Sequence, residues 1–266
     1  MWAAIFAPLV AEASETEGRP AVEALADILE GNQRFIAGKM THLGATPTDR
    51  AGLAAGQSPH TMVLTCADSR VAPEIVFDQG LGELFVVRSA GNSVDEHLVA
   101  SLEYAVEHLG SKLLVVLGHT SCGTVKAALG TPWGTSAGSP ALDDLVHDLQ
   151  LCIGPVTPAQ AADPTVRDAV WANVRGVRLA LINESEILAN AVASGKLDLR
   201  IAVYDLSNGQ VVFDRAPSSS SAVAVAPVGP AAGHGSGHGS GGKDRHATPA
   251  PAPAPASDHG AHGDGH

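Results

Sequence analysis

The sequence predicts an α/β fold with a mostly parallel central sheet, helices flanking it and a short antiparallel strand at one edge. Short runs that are almost wholly apolar, such as residues 61–65 and 112–117, alternate with longer segments of helical periodicity. Strands that are apolar on both sides are typical of parallel sheets covered by helices. Ser207-Asn208-Gly209 is a hairpin signal, so the strand after it is expected to run antiparallel.

The predicted elements alternate along the chain as in a layered α/β domain. Pro20 suits the first turn of a helix, and Gly38 suits its end. Asp163 and Pro164 are typical of the N-cap and first residue of a long helix ending near residue 193. The remaining predictions are a short helix within 40–59, strands over 61–65, 84–88, 112–117, 199–204 and 210–213, a turn at 90–92, and helices over 71–78, 94–108, from 124, and over 141–153.

Composition divides the chain into three regions. Residues 1–18 are an N-terminal extension or a signal remnant, since an apolar run precedes Ala11-Glu12-Ala13 but no basic residue comes before Arg19. Localisation is therefore open: cytoplasmic by default, exported or periplasmic if the extension is a signal. Residues 19–216 are predicted to form one domain. Residues 217–266 are rich in His, Gly, Ala and Pro, a composition that cannot bury a core, and we expect a disordered tail.

Charge and cysteine content exclude several classes of protein. Sixteen basic against 28 acidic residues give a net charge of −12, which disfavours nucleic-acid binding. No apolar run approaches the roughly 20 residues of a membrane span. Three cysteines do not make a disulfide framework. Cys152 lies in an apolar helical pattern, and we expect it to act as a small buried hydrophobic residue.

Polar residues follow the first predicted strand at alternate positions. Cys66, Asp68 and Arg70 could share one surface there, because alternate residues of an extended chain point the same way. The carboxyl ends of strands are where open α/β sheets place their ligand crevices. The sequence therefore predicts a functional site at this end of the sheet.

A second strand ends in the same manner, with His119 and Cys122 at a strand-to-helix turn. The helix that begins after Gly123 would point its N-terminal N–H groups at this turn. Two thiolates, an imidazole and a carboxylate are a credible tetrahedral zinc set, formed here by Cys66, His119, Cys122 and Asp68. A disulfide between Cys66 and Cys122 is the alternative.

The motifs around these residues closely resemble those of the β-class carbonic anhydrases. Cys-Ala-Asp-Ser-Arg-Val-Ala-Pro-Glu at 66–74 and Gly-His-Thr-Ser-Cys-Gly at 118–123 carry most of the resemblance. Four further stretches match in order and with the family's spacing, so the resemblance covers residues 24–213. They are Gly31-Asn32-Gln33-Arg34-Phe35, Gly56-Gln57-Ser58-Pro59, Phe77-Asp78-Gln79-Gly80 and Phe85-Val86-Val87-Arg88-Ser89-Ala90-Gly91-Asn92.

The resemblance implies reversible hydration of CO2 to bicarbonate and a proton by a zinc-bound hydroxide, with one Zn²⁺ per subunit on Cys66, His119 and Cys122. Asp68 would take the fourth position on zinc or, in the active form, leave it to water and pair with Arg70. Gln57 would donate a hydrogen bond to CO2 or bicarbonate, next to the Gly123 N–H. Phe85 and Tyr104 would line the pocket from the other subunit of an obligate dimer or tetramer.

The resemblance also bears on Arg88, and the choice of a proton-transfer histidine is a separate question. Arg88 matches the arginine of a noncatalytic bicarbonate site in some relatives, but the loop before Gln57 holds no tryptophan and Gln57 itself is present, so we expect the simpler, non-allosteric type. The sequence does not assign any histidine as the proton shuttle, and His60 and His97 are candidates only because we expect them at the surface.

Two other functions remain open from the sequence. Relatives of this fold hydrolyse CS2 or COS with the same zinc set. A zinc-storage or sensing protein with a vestigial site is the other alternative, because six histidines lie in the tail. These tail histidines could bind extra metal ions, or they could belong to a solvated linker. They are His234, His238, His246, His259, His262 and His266.

Overall fold

A single five-stranded sheet organises the computed structural model, which describes residues 18–41, 44, 46–157 and 162–214. The strands are β1 (Thr61–Cys66), β2 (Leu84–Ser89), β3 (Leu113–His119), β4 (Asp198–Tyr204) and β5 (Val211–Phe213). They lie in the order β2-β1-β3-β4-β5, and β5 alone pairs antiparallel. This confirms the predicted fold class and its antiparallel edge strand.

Helices cover both faces of the sheet, and the alternating side chains of its strands form two apolar clusters. One cluster packs under the helices Ala21–Ile36 and Pro73–Val76, and the other under the helices that lie between Glu96 and Ala193. Among the described residues no helix is long and apolar enough to cross a membrane. The helices are α1 (Ala21–Ile36), α2 (Pro47–Leu53), α3 (Pro73–Val76), α4 (Glu96–His108), α5 (Gly123–Gly130), α6 (Pro140–Ile153), α7 (Arg167–Glu184) and α8 (Glu186–Ala193).

The long helix predicted from Asp163 is wrong at its start and is interrupted. Asp163 accepts hydrogen bonds from the backbone and side chain of Thr165 and from the Arg167 N–H, so it closes a turn before the helix. The helical segment also breaks at Ser185, which is extended and whose hydroxyl accepts from the Leu188 N–H, capping α8.

His60 is not the surface residue that the sequence predicted. It is 5% exposed at the start of β1, because it lies in the interface between that strand end and the segment before β2. Its Nδ1 lies 2.8 Å from Thr61 Oγ1 and its Nε2 lies 3.2 Å from Glu83 Oε2. This end of the sheet is opposite Cys66. His97 lies exposed on α4, as expected.

The two predicted terminal regions, 1–18 and 217–266, lie almost wholly outside the described residues, as do the six tail histidines. The boundaries of the predicted domain therefore stay a prediction.

Candidate metal centre

Three metal-binding side chains meet at the carboxyl ends of neighbouring strands. Cys66 is the last residue of β1, His119 is the last of β3, and Cys122 is the N-cap of α5. Their ligand atoms all lie within 4.8 Å of one another. The three side chains are almost fully buried, with at most 4% exposed. The register of the parallel sheet thus assembles the group that the two motifs predicted.

His119 presents an unpaired nitrogen to this group. Its Nδ1 lies 3.0 Å from the Thr120 carbonyl oxygen, which makes Nδ1 the protonated nitrogen and leaves Nε2 as an acceptor. Nε2 is buried and has no hydrogen-bond partner among the described residues. A carbonyl that fixes the tautomer in this way is the usual second contact of a metal-binding histidine.

The two thiols differ in their electrostatic surroundings. A hydrogen bond from the Cys122 thiol, with another from the Gly91 N–H, holds the pKa of Cys66 well below its usual value. The hydrogen bond with Cys66, together with burial, raises the pKa of Cys122. Hydrogen bonds from the N–H groups of Val125 and Thr124 lower it, but by less. The site therefore favours a thiolate at Cys66.

The sulfur atoms of Cys66 and Cys122 lie 4.0 Å apart and both cysteines are free, so the alternative of a disulfide is wrong for this structure. The spacing instead suits a shared metal. Two thiolates on one tetrahedral zinc, each at about 2.3 Å, have their sulfurs roughly 3.8 Å apart. The buried Nε2 of His119 is the third donor that such an ion needs.

Asp68 faces the same group and is held by Arg70. The guanidinium donates to both carboxylate oxygens, Nε to Oδ1 at 2.9 Å and Nη2 to Oδ2 at 2.7 Å. These hydrogen bonds hold the pKa of Asp68 below its usual range. Its Oδ2 lies 3.8 Å from His119 Nε2, beyond hydrogen-bond distance. Asp68 is therefore an ionised acceptor beside the three ligand atoms.

Two positioning contacts were not predicted from the sequence. Arg88, on β2, donates to the carbonyls of Cys66 and Asp68 at 3.2 and 2.7 Å, and so holds the loop after β1. Asn92 donates to the Leu64 and Leu117 carbonyls at 3.2 and 3.1 Å. It thereby ties together the strand ends that carry Cys66 and His119. The available signal was the run of polar and small residues from Arg88 to Asn92, which follows the apolar part of β2.

The predicted substrate-binding residues are not all near this group within one chain. Gly123 adjoins Cys122, whereas Gln57 lies exposed in the segment before β1. Phe85 comes four residues before Ser89, the register partner of Cys66, which places it about 13 Å along the strand from the site. Tyr104 is 50% exposed on α4 and contacts His108.

Comparisons with known proteins identify the family. The family model described as carbonic anhydrase matches residues 61–211. A curated relative, carbonic anhydrase 2 of Mycobacterium tuberculosis, is 41% identical over 186 residues, which cover 69% of this chain and 87% of the relative.

Solved structures agree with this assignment. The β-carbonic anhydrase of Coccomyxa, solved with acetazolamide, matches with a TM-score of 0.53 and 29% identity, covering 71% of this chain and 85% of that one. A tetrameric β-carbonic anhydrase of Sordaria macrospora shares the fold, with a TM-score of 0.55 and 23% identity over 73% of this chain and 98% of that one. The chain belongs to the β class of the carbonic anhydrase family.

Proposed function

We propose that the protein is a zinc-dependent enzyme that converts CO2 and water to bicarbonate and a proton. The observation that carries the proposal is the buried group of Cys66, His119 and Cys122, with its unpaired Nε2 and an arginine-held carboxylate beside it. When bound there, zinc would supply a Lewis acid that lowers the pKa of a water to about 7 and so provides a nucleophile at neutral pH.

Asp68 and Arg70 have separate tasks in this proposal. Asp68, kept ionised by Arg70, can only accept hydrogen bonds, so it would orient the attacking water through that water's proton. Arg70 uses two donors on one carboxylate, which fixes the carboxylate plane. Each Asp68 oxygen accepts from the guanidinium and can accept once more, so the pairing with Arg70 supports an arrangement in which Asp68 receives the water's hydrogen bond and does not bind the metal.

The substrate pocket would be completed by a second subunit. Phe85 lies on β2, an edge strand whose side chains are only partly buried, and Tyr104 is half exposed. Both are free to line the site of a partner, and the Sordaria macrospora relative is described as tetrameric. Apolar rings suit CO2, which has no charge to bind, while Gln57 and the Gly123 N–H would supply the hydrogen bonds to bicarbonate.

Stopped-flow measurement of CO2 hydration, combined with metal analysis, tests the proposal. We expect about one zinc per chain, loss of hydration after chelation and recovery when zinc is restored. If protein that carries stoichiometric zinc does not raise the rate of CO2 hydration above that of buffer alone, the proposal is refuted. The same preparation should be assayed on CS2 and COS, since faster turnover of either would assign the site to that hydrolysis instead.

A further inference from the structure

The turn after β2 contacts a ligand of the proposed metal directly. The N–H of Gly91 donates to the Cys66 sulfur at 3.2 Å, inside a site from which solvent is excluded. A buried thiolate has lost its hydration, so a backbone donor aimed at it stabilises the charged form that binds a metal. The orientation of one peptide group therefore matters to the metal centre.

This peptide group is in an unusual conformation that needs support. Gly91 has φ 66° and ψ 19°, and Asn92 after it has φ 63°. A Cβ on Gly91 would lie 2.6 Å from Leu149 Cδ2 and 3.0 Å from Thr124 Cβ, so only glycine fits there. Consecutive left-handed residues cost free energy and persist only when surrounding contacts hold them.

Asn173, on α7, supplies such a contact from a distant part of the chain. Its Nδ2 donates to the Gly91 carbonyl oxygen at 2.7 Å, and the residue is 2% exposed. The other end of the amide, Oδ1, is buried without a hydrogen-bond partner among the described residues. A half-satisfied buried amide destabilises a fold relative to an apolar side chain of the same size. The half-satisfied amide of Asn173 therefore indicates a role other than stabilising the fold.

We propose that Asn173 is a positioning residue, which fixes the Gly91 turn so that its N–H points at Cys66 and strengthens metal binding there. The inference rests on the proposed function, because it assumes that Cys66 binds a metal. The hydrogen bond from Asn173 goes to the Gly91 carbonyl, so Asn173 would act on Cys66 through the Gly91 turn. Removing its donor should therefore weaken zinc binding while leaving the fold intact.

Asn173→Leu removes the donor and the unpaired Oδ1 while keeping the number and branching of the side-chain heavy atoms. We expect a ten- to one-hundred-fold rise in the zinc dissociation constant, measured by competition with a chromophoric chelator. The melting temperature of the metal-free variant should fall no further than that of Val177→Ala, because removing the unpaired Oδ1 offsets part of the loss of a donor at the Gly91 carbonyl. In cobalt-substituted protein, the thiolate-to-cobalt absorption band should move to longer wavelength, because the sulfur has lost a hydrogen bond.

Val177→Ala is the matched control, since Val177 lies on the same helix and is 1% exposed. It should lower the melting temperature but change the zinc dissociation constant by less than about threefold. Asn173→Ser, too short to reach Gly91, serves as a second removal variant if the leucine variant does not fold. Zinc binding within threefold of the parent in both Asn173 variants, or an equal loss in Val177→Ala, would overturn the inference. Absence of zinc binding by the parent protein would instead refute the proposed function, and this inference with it.

Discussion

The carboxylate of Asp68 and the guanidinium of Arg70 meet at two points, at 2.9 and 2.7 Å, and the Arg70 backbone N–H donates to the same carboxylate at 3.0 Å. Three donors from a single residue fix both the position and the plane of the acid. Asp68 is thereby oriented toward the buried ligand atoms, while Arg88 holds the backbone of the same loop.

Asp68→Asn should keep zinc and lose most hydration activity. The three other ligands remain, but an amide carries no charge and cannot accept through both of its polar atoms. We expect kcat/KM to fall roughly 100-fold or more, the usual scale for losing a group that handles a proton. Stopped-flow assays and metal analysis of the same sample measure both effects.

Asp198→Asn is the matched control. Arg200 lies two residues further on and donates to both oxygens of Asp198, as Arg70 does with Asp68, but this pair lies at the opposite end of the sheet. The control should hydrate CO2 at the parent rate. Full activity in Asp68→Asn would mean that its ion pair is only structural.

Replacing one of the three proposed zinc ligands should remove the metal, whereas Asp68→Asn should keep it. Cys66→Ala, His119→Ala and Cys122→Ala should each reduce bound zinc to a small fraction of one per chain, because two protein ligands do not hold zinc firmly. Cys152→Ala, which removes a thiol on α6, should keep the metal. Stoichiometric zinc in any of the three ligand variants contradicts the assignment of that residue.

Asn92→Ala should destabilise the protein by about 2 to 4 kcal/mol. Two buried carbonyls lose a donor, and alanine must adopt the left-handed conformation of this position. Urea unfolding of zinc-free protein measures the free energy. Asn92→Gly should recover about 1 kcal/mol of the loss, since glycine tolerates the backbone. Asn190→Ala, at an exposed position of α8, should change the stability by about 0.5 kcal/mol or less; an equal loss there would contradict the explanation.

Local patterns predicted the strands and the grouping of Cys66, His119 and Cys122, because both depend on residues close in sequence. An apolar run ends where Cys66 or His119 begins the polar motif, and parallel pairing places such ends side by side. The break at Ser185 also had a local signal, because serine is a common N-cap residue and here caps the helix whose first turn includes the buried Leu188. The helical periodicity on both sides of Ser185 nevertheless favoured one continuous helix.

The supporting contacts of the site could not be predicted in this way. Asn173 and Gly91 are 82 residues apart, and nothing in either segment indicates the other. Arg88 was associated by resemblance with a second bicarbonate site, whereas its side chain bonds the loop after β1. The roles of Phe85 and Tyr104 depend on a second subunit, so one chain does not test them.

Cys152 should react slowly with alkylating agents. Burial, with Asp148 and Glu184 adding to it, raises the pKa of this thiol from 9.0 to about 11. The thiolate fraction at pH 8 is then roughly 100-fold lower than for an ordinary cysteine, and the rate should rise about tenfold per pH unit below pH 11. Iodoacetamide labelling of zinc-loaded protein, followed by mass spectrometry, measures the rate. Equal rates at pH 8 for native and urea-unfolded protein would contradict this prediction.

Removing residues 217–266 should leave folding and CO2 hydration nearly unchanged, because a tail of this composition contributes little buried area. It should change how much additional metal the protein carries. Six spaced imidazoles can chelate zinc more weakly than the group at Cys66, and only above about pH 6.5, where histidine is neutral. Zinc titration of the full-length and truncated chains should reveal extra weak sites in the full-length chain alone, lost at pH 5.5. Identical stoichiometry in both chains at pH 7.5 would make the tail a linker without a metal-binding role.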